Sequence, residues 1–347
     1  MKKKKKSLYN KKSRDILKKE LIAEPFKRRT VSFYKYYFCE NPQTFRDSLY
    51  RDWDKIKVFG RTYVSKEGIN AQLSVPENHW CDFLNTLNNY PELINIPLKI
   101  AYQEGSSFYK LTIKVRRELV AYGIPEHEYS MERVGNHLSA QDFNRALENP
   151  NTIIVDMRNY YESEIGRFKK AIVPKVENSK QLLPTVNRIL AGHKNSKVLL
   201  YCTGGIRCEK ASAYLMQQGF KDVNQLRGGI IQYAHEVAEK KLKSKFIGKN
   251  FVFDERLGER ITDDVIAKCH ICGTPCDDHT DCNNNACHIL FIQCNSCSNL
   301  LNGCCSKDCQ NFIKLPFRKQ KIYRKDPSKI VSKTFFDSRV KPKLLRE

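Results

Sequence analysis

The stretch "KVLLYCTGGIRCEKASAYLMQQGF", residues 197–220, constrains the fold of this chain more than any other. Val198 to Tyr201 is a short, partly β-branched apolar run, the length of a buried parallel strand. Beyond Arg207 the period changes. Ala211, Tyr214 and Leu215 fall on one helical face, and Gly219 stands where a C-cap glycine belongs. Strand, tight loop and helix make half of a βαβ unit, and Cys202 lies at the strand's carboxyl end, where open parallel sheets place their chemistry. The surroundings alternate in the same way. "SAQDFNRALEN" reads as a Ser-capped helix, "NTIIVDMRN" as a buried strand, "KQLLPTVNRIL" as a helix, and "VNQLRGGIIQYAHEVAEK" as strand, glycine turn and helix. Residues 129–244 are therefore expected to form an α/β domain with a small parallel sheet wound on both faces.

A chain of 347 residues has room for more than this. In residues 31–128, "VSFYKYYF", "NPQTFRDSLYRDWDKI", "VFGRTYVSKEGINAQLSV", "PENHWCDFLNTLNNY" and "PLKIAYQE" run in the order βαββαβ. That order implies an α+β, ferredoxin-like domain with an antiparallel sheet covered on one side. Residues 1–30 read as a basic, partly disordered leader, 245–315 as a Cys-rich segment, and 316–347 as a basic tail. No apolar run reaches membrane-spanning length, and the leader lacks the apolar core of a signal peptide, so a cytoplasmic protein with no membrane association is expected. The net charge of +23 suits a polyanionic partner such as nucleic acid. The Lys, Asn and Ile bias of an A/T-rich genome explains the same excess, and the lysine run at 2–6 reads as a solvated tail. Tyr34, Lys35, Tyr36 and Tyr37, with Arg116 and Arg117, interleave rings and charges as an RNA-binding surface would. An edge strand alternating between core and solvent would give the same pattern.

The loop "CTGGIR" carries the chemistry. A short passage from strand to helix aims successive N–H groups at one point, at the positive end of a helix dipole. A sulfur anion on Cys202 would be held by the backbone of Thr203, Gly204, Gly205 and Ile206, with Arg207 adding charge. The two glycines let the backbone curl. Cys208 reads either as a resolving thiol or as a small apolar residue in the helix's first turn.

Ten of the fourteen cysteines lie between Cys269 and Cys309, which points to metal binding or thiol chemistry rather than disulfide staples. Cys269/Cys272 and Cys294/Cys297 are two C-x-x-C knuckles close to the four-cysteine zinc pattern. Cys276, Cys282, Cys287, Cys304, Cys305 and Cys309, with His288, are candidates for a second site. Eleven ligands exceed the eight that two zinc ions need, and spacing does not sort them. Structural zinc is the expected metal, an iron–sulfur centre the alternative.

The loop, the "VDMR" strand end and the "LRGGI" turn at 226–230 resemble a rhodanese domain, a carrier of sulfur as cysteine persulfide. The resemblance implies that Asp156 and Arg158 help hold the active loop. It departs at "GRFKKAI", where Arg167 stands in place of a usual His. With "SKEGINAQLSVP", "KLTIKVRRELVAYGIP", "IGKNFVFDERLGERI" and "CHICGTPCDDHTDCNNNACHILFIQC", the chain from about 31 to 312 resembles the rhodanese-containing tRNA uridine hydroxylases. That family implies an oxidoreductase that uses molecular oxygen as co-substrate to convert the wobble uridine to 5-hydroxyuridine. Its partners would be the tRNA anticodon stem-loop and a sulfur or electron donor protein, with the electron donor itself unidentified. Cys202, as thiolate or persulfide, would be the catalytic residue. Two other readings share these residues: a persulfide sulfurtransferase serving tRNA or a protein, and an adaptor that keeps the fold as scaffold.

Overall fold

The computed structural model describes residues 8–176 and 179–325. The lysine run at 2–6 and the tail beyond residue 325 lie outside the described residues.

The N-terminal part begins with helix α1 (Arg14–Ile22), capped by the Ser13 side chain on the Ile16 amide. Within the basic leader, read as partly disordered, residues 14–22 form this helix. It is tied down by charge, since Arg14 and Lys18 both reach Glu255, at 3.2 and 2.6 Å. There follow β1 (Arg28–Tyr36), α2 (Pro42–Lys55), β2 (Phe59–Ser65), β3 (Gly68–Pro76), α3 (Trp80–Asn88), β4 (Lys99–Ile100) and β5 (Leu111–Val115). The sheet order β4-β1-β3-β2 is ferredoxin-like, and β5 extends it, parallel to β2. Gly68 enters β3 at φ +128°, where a Cβ would strike the Lys35 carbonyl oxygen. Val31 and Phe33 point from β1 into the core, where Trp53 of α2 and Phe83 of α3 meet them. By the period of two, Tyr34 and Tyr36 leave from the opposite face.

The central domain contains β6 (Asn136–Leu138), α4 (Ala140–Ala146), β7 (Ile153–Asp156), α5 (Tyr160–Glu164), β8 (Gly166–Phe168), α6 (Ser179–Ile189), β9 (Lys197–Tyr201), α7 (Ile206–Gln217), β10 (Asp222–Leu226) and α8 (Gly229–Glu239). Its sheet is all parallel, in the order β6-β10-β9-β7. One apolar cluster fills each face, Leu183, Val186 and Leu215 on one and Phe143, Tyr201 and Tyr233 on the other. This is the doubly wound arrangement expected, with Cys202 at the carboxyl end of a central strand.

In the C-terminal part, β11 (Phe246–Asn250) pairs antiparallel with β8 and β12 (Glu259–Arg260). The Cys-rich segment adds the hairpin β13 (His279–Asp281) and β14 (Leu290–Ile292) with helices α9 (Asn295–Leu301) and α10 (Lys307–Ile313). Its apolar clusters are small and built largely of cysteines. In the basic tail, Phe317–Tyr323 forms α11 and Tyr323 packs on Phe312, with ring centres 4.9 Å apart. No described helix is long and apolar enough to cross a membrane.

Candidate active site

Cys202 has no exposed surface, yet hydrocarbon is only part of its surroundings. The Gly205 amide donates to its Sγ at 3.1 Å, at the start of α7. Burial alone would push the thiol up. The Cys208 side chain, the Arg207 charge and the Cys208 and Gly205 amides outweigh it and bring the pKa down to about 5. Cys208 is pushed the other way by burial and by its bond to Cys202, so it keeps its proton and donates it. Cys208 is also wholly buried in the apolar cluster beside Cys202. Gly205 sits at φ +100°, and a Cβ there would meet the Tyr34 hydroxyl at 2.9 Å. Gly204 has open space around its missing Cβ and no positive φ, so it is not required for the curl.

Arg207 turns away from the sulfur toward Glu162. Its two terminal nitrogens donate to the two carboxylate oxygens at 2.6 and 2.9 Å, and Thr203 Oγ1 joins them at 3.2 Å from Glu162 and 3.1 Å from Arg207. Glu162 is fully buried, and a bidentate pair in a dry site fixes the loop's shape as well as adding charge. Nothing in its neighbours along the chain marks Glu162, whose position on α5 is read only in the fold. Asp156 ends β7 opposite Tyr201, the residue before Cys202, and Arg158 follows it. Arg158 donates to both Asp156 oxygens at 2.9 and 2.8 Å, and Tyr201 and Ser163 donate to the same carboxylate at 2.6 and 2.8 Å. Through Tyr201 they brace β9 one residue before Cys202. Arg167 donates to the Ser163 carbonyl oxygen at 3.2 Å and lies on the β8 side of that brace.

The N-terminal sheet covers the loop. Tyr34 donates to Glu209 at 3.2 Å, Tyr36 to the Ile206 carbonyl at 3.2 Å, and Tyr122 to the Arg207 carbonyl at 3.2 Å. β1 is an interior strand, not the edge strand of the alternative reading, and the Tyr34 and Tyr36 rings lie at the interface between the two domains. Lys35 reaches the Glu92 carbonyl, Tyr37 packs on the N-terminal core, and Arg116 lies over Tyr63. Arg117 is exposed. Lys210 of α7, wholly buried, pairs with Glu67 at 2.7 Å and Glu118 at 3.0 Å and so clamps the two parts together.

Between them is a cavity of about 360 Å³, lined by Tyr34, Asn70, Gln72 and Lys99 from one side, Thr203, Gly204 and Arg207 from the other, and Phe253 and Arg256 from the C-terminal part. Lys99 lies 4.5 Å from the Tyr34 ring centre and has no carboxylate partner among the described residues. Burial pulls its ammonium down to about 8, against the pull of Cys202 and Glu209. A free charge, an anionic sulfur nearby and amide side chains around a slot of this size suit a planar polar ring.

The cysteines sort into two groups of four. Cys269, Cys272, Cys294 and Cys297 have their sulfurs within 4.8 Å of one another, as do Cys282, Cys287, Cys305 and Cys309. Cys272 and Cys294 stand 3.7 Å apart, as do Cys287 and Cys305. Four thiolates about 2.3 Å from a tetrahedral ion would stand roughly 3.8 Å apart, so both groups fit zinc. The Cys294 and Cys305 amides donate to Cys269 and Cys282. Cys276, His288 and Cys304 stand outside both groups, the two cysteines buried among apolar neighbours.

Residues 28–119 match the UPF0176 acylphosphatase-like domain family, 139–236 the rhodanese-like domain family, and 247–310 the rhodanase C-terminal family. The chain is 49% identical over 343 residues, 98% of its length, to a "tRNA uridine(34) hydroxylase" of Leptospira interrogans, of which it covers 93%. It is 49% identical over 319 residues, 91% of its length, to the protein of that name in Yersinia pestis (strain Pestoides F), of which it covers 90%. Among solved structures, a rhodanese-like domain from Anabaena sp. matches 32% of the chain and 78% of its own, at 19% identity and a TM-score of 0.26.

Proposed function

The chain belongs to the tRNA uridine(34) hydroxylase family, and from this premise we propose that the Cys202 loop, closed over by the N-terminal sheet, is where its reaction takes place. The protein is an oxidoreductase that hydroxylates the wobble uridine of tRNA to 5-hydroxyuridine. The observation that carries the site assignment is the cavity shared by the loop and the sheet. A sulfur carrier serving a protein acceptor would need an open loop, whereas a base needs a pocket that excludes water and presents polar edges.

A wobble uridine in the anticodon loop is already partly unstacked, which lowers the cost of bringing it into the cavity. Asn70 and Gln72 offer both donors and acceptors to a uracil edge. Addition of the Cys202 sulfur at the electron-poor C6 pushes electrons onto O4 and makes C5 nucleophilic. The Lys99 ammonium is suited to hold the charge that develops on O4. Molecular oxygen is the co-substrate: one atom enters at C5, and the other leaves as water with two electrons and two protons from outside this chain; loss of the C5 proton then expels the sulfur from C6 and restores the 5,6-double bond. The full burial of Sγ favours persulfide over thiolate as the working form, because an outer sulfur, taken from a sulfane-sulfur donor such as a partner's persulfide, stands about 2 Å beyond Sγ. When bound, zinc in the two cysteine quartets would hold the C-terminal part in shape, and with it Phe253 and Arg256 at the cavity wall.

Nucleoside mass spectrometry of tRNA from cells with and without the gene tests the activity. Loss of 5-hydroxyuridine on deletion supports it. An unchanged level of that nucleoside, in cells with no second enzyme for it, contradicts it.

A further inference from the structure

A second cavity of about 290 Å³ adjoins the first, and the two share Arg61, Phe253 and Asp254. Its own lining includes Tyr109, Lys110 and Asp281. We propose that this cavity is a subsite for the RNA nucleotide next to the target uridine, a proposal that rests on the tRNA reading of the first cavity.

Three features carry it. Asp281 Oδ1 is buried and has no hydrogen-bond partner, so the site presents an acceptor that lacks a donor. A buried acceptor left unpaired is costly, and the amino or imino N–H of a nucleobase edge would satisfy it. Half-buried Tyr109 has Arg14, Lys18 and Lys110 5.6–5.9 Å from its ring centre, and a base that stacks on the ring displaces one of these cations toward its own phosphate. Arg61 lines both cavities and has no carboxylate partner among the described residues, nor has Lys110. A cation at the junction of two base-sized cavities is placed for the phosphate that joins two nucleotides. Glu255 is shared by Arg14 and Lys18, and Asp254 is held by Arg256, so even with the Asp281 carboxylate ionised the charge left at this cavity by Arg61 and Lys110 is positive.

The test is a double-mutant cycle read in Kd, which needs no turnover. Wild type and Tyr109→Ala are titrated with an anticodon stem-loop, and with the same RNA carrying an abasic nucleotide immediately 5′ or immediately 3′ of the target uridine. Wild type should bind one of the two abasic RNAs about tenfold more weakly than the intact one. Tyr109→Ala should bind intact and abasic RNA alike, at that weaker value. Equal losses in wild type and variant, or no loss in either, overturn the subsite. Lys110→Ala removes an exposed charge, and should lower the slope of log Kd against log salt by about one. An unchanged slope counts against the phosphate placement. Hydroxylation of the intact stem-loop by wild type is measured alongside. Coupled binding without product would leave the subsite standing and overturn the reaction assigned to the first cavity.

Discussion

Lys99 and Cys202 are carried by different domains, one at the edge of the N-terminal sheet and the other at the centre of the parallel one, yet Lys99 lines the same cavity as Thr203 and Gly204, which follow Cys202. Neither domain alone holds both groups. Assembly of the site is therefore a matter of how the domains dock, and this can be tested from each side.

The pair should give two separate titrations. Thiolate absorbance of wild type minus that of Cys202→Ser should fall as pH drops through about 5, since the anion is present above that pKa and protonated below it. The kcat/KM for hydroxylation should fall as pH rises through about 8, where Lys99 loses its proton. Lys99→Arg should move the alkaline limb beyond the measurable range, because a guanidinium stays charged. Lys99→Met should lower kcat/KM about a hundredfold and flatten that limb. An alkaline limb unchanged in both variants would remove Lys99 from the reaction.

Lys210→Met tests the clamp. It leaves Glu67 and Glu118 without their buried counter-ion, at a cost of about 3–5 kcal/mol. Thermal unfolding should shift down accordingly. Hydroxylation should fall while the Cys202 thiolate absorbance stays, since the cup of amides lies within the central domain. Loss of the thiolate signal in this variant would show that the sulfur's environment depends on docking.

How much of this was legible beforehand depends on the range of the interaction. The Cys202 cup is local: strand, loop and helix are contiguous, so period and glycine placement reveal it. Both the parallel sheet and the ferredoxin-like order follow from equally local patterns. Glu162, Lys99 and Lys210 make their partners across the fold, and nothing in their neighbours along the chain marks them. The leader's helix is similar, because α1 is fixed by Glu255, far away in sequence. Spacing found the knuckles Cys269/Cys272 and Cys294/Cys297, but sorting Cys282, Cys287, Cys305 and Cys309 from Cys276, His288 and Cys304 required the β13–β14 hairpin.

Metal analysis of the purified chain should give two zinc ions. Cys294→Ser should lower this to one, and Cys304→Ser should leave two, because Cys304 belongs to neither quartet. A chelator should release the C-terminal part to proteolysis. Iron in place of zinc, with the visible absorption of a cluster, would contradict the structural assignment.

Affinity for tRNA should fall steeply with salt, since the chain carries a net charge of +23 and presents unpaired cations at the cavity. Binding that is flat between low and physiological salt would assign the excess charge to composition alone.

The most direct measurement is hydroxylation of an anticodon stem-loop under ¹⁸O₂ by wild type and Cys202→Ser, followed by nucleoside mass spectrometry. The account requires one ¹⁸O in the 5-hydroxyuridine made by wild type, and a loss of rate on the order of a thousandfold or more in the variant. Full activity of Cys202→Ser would contradict the account.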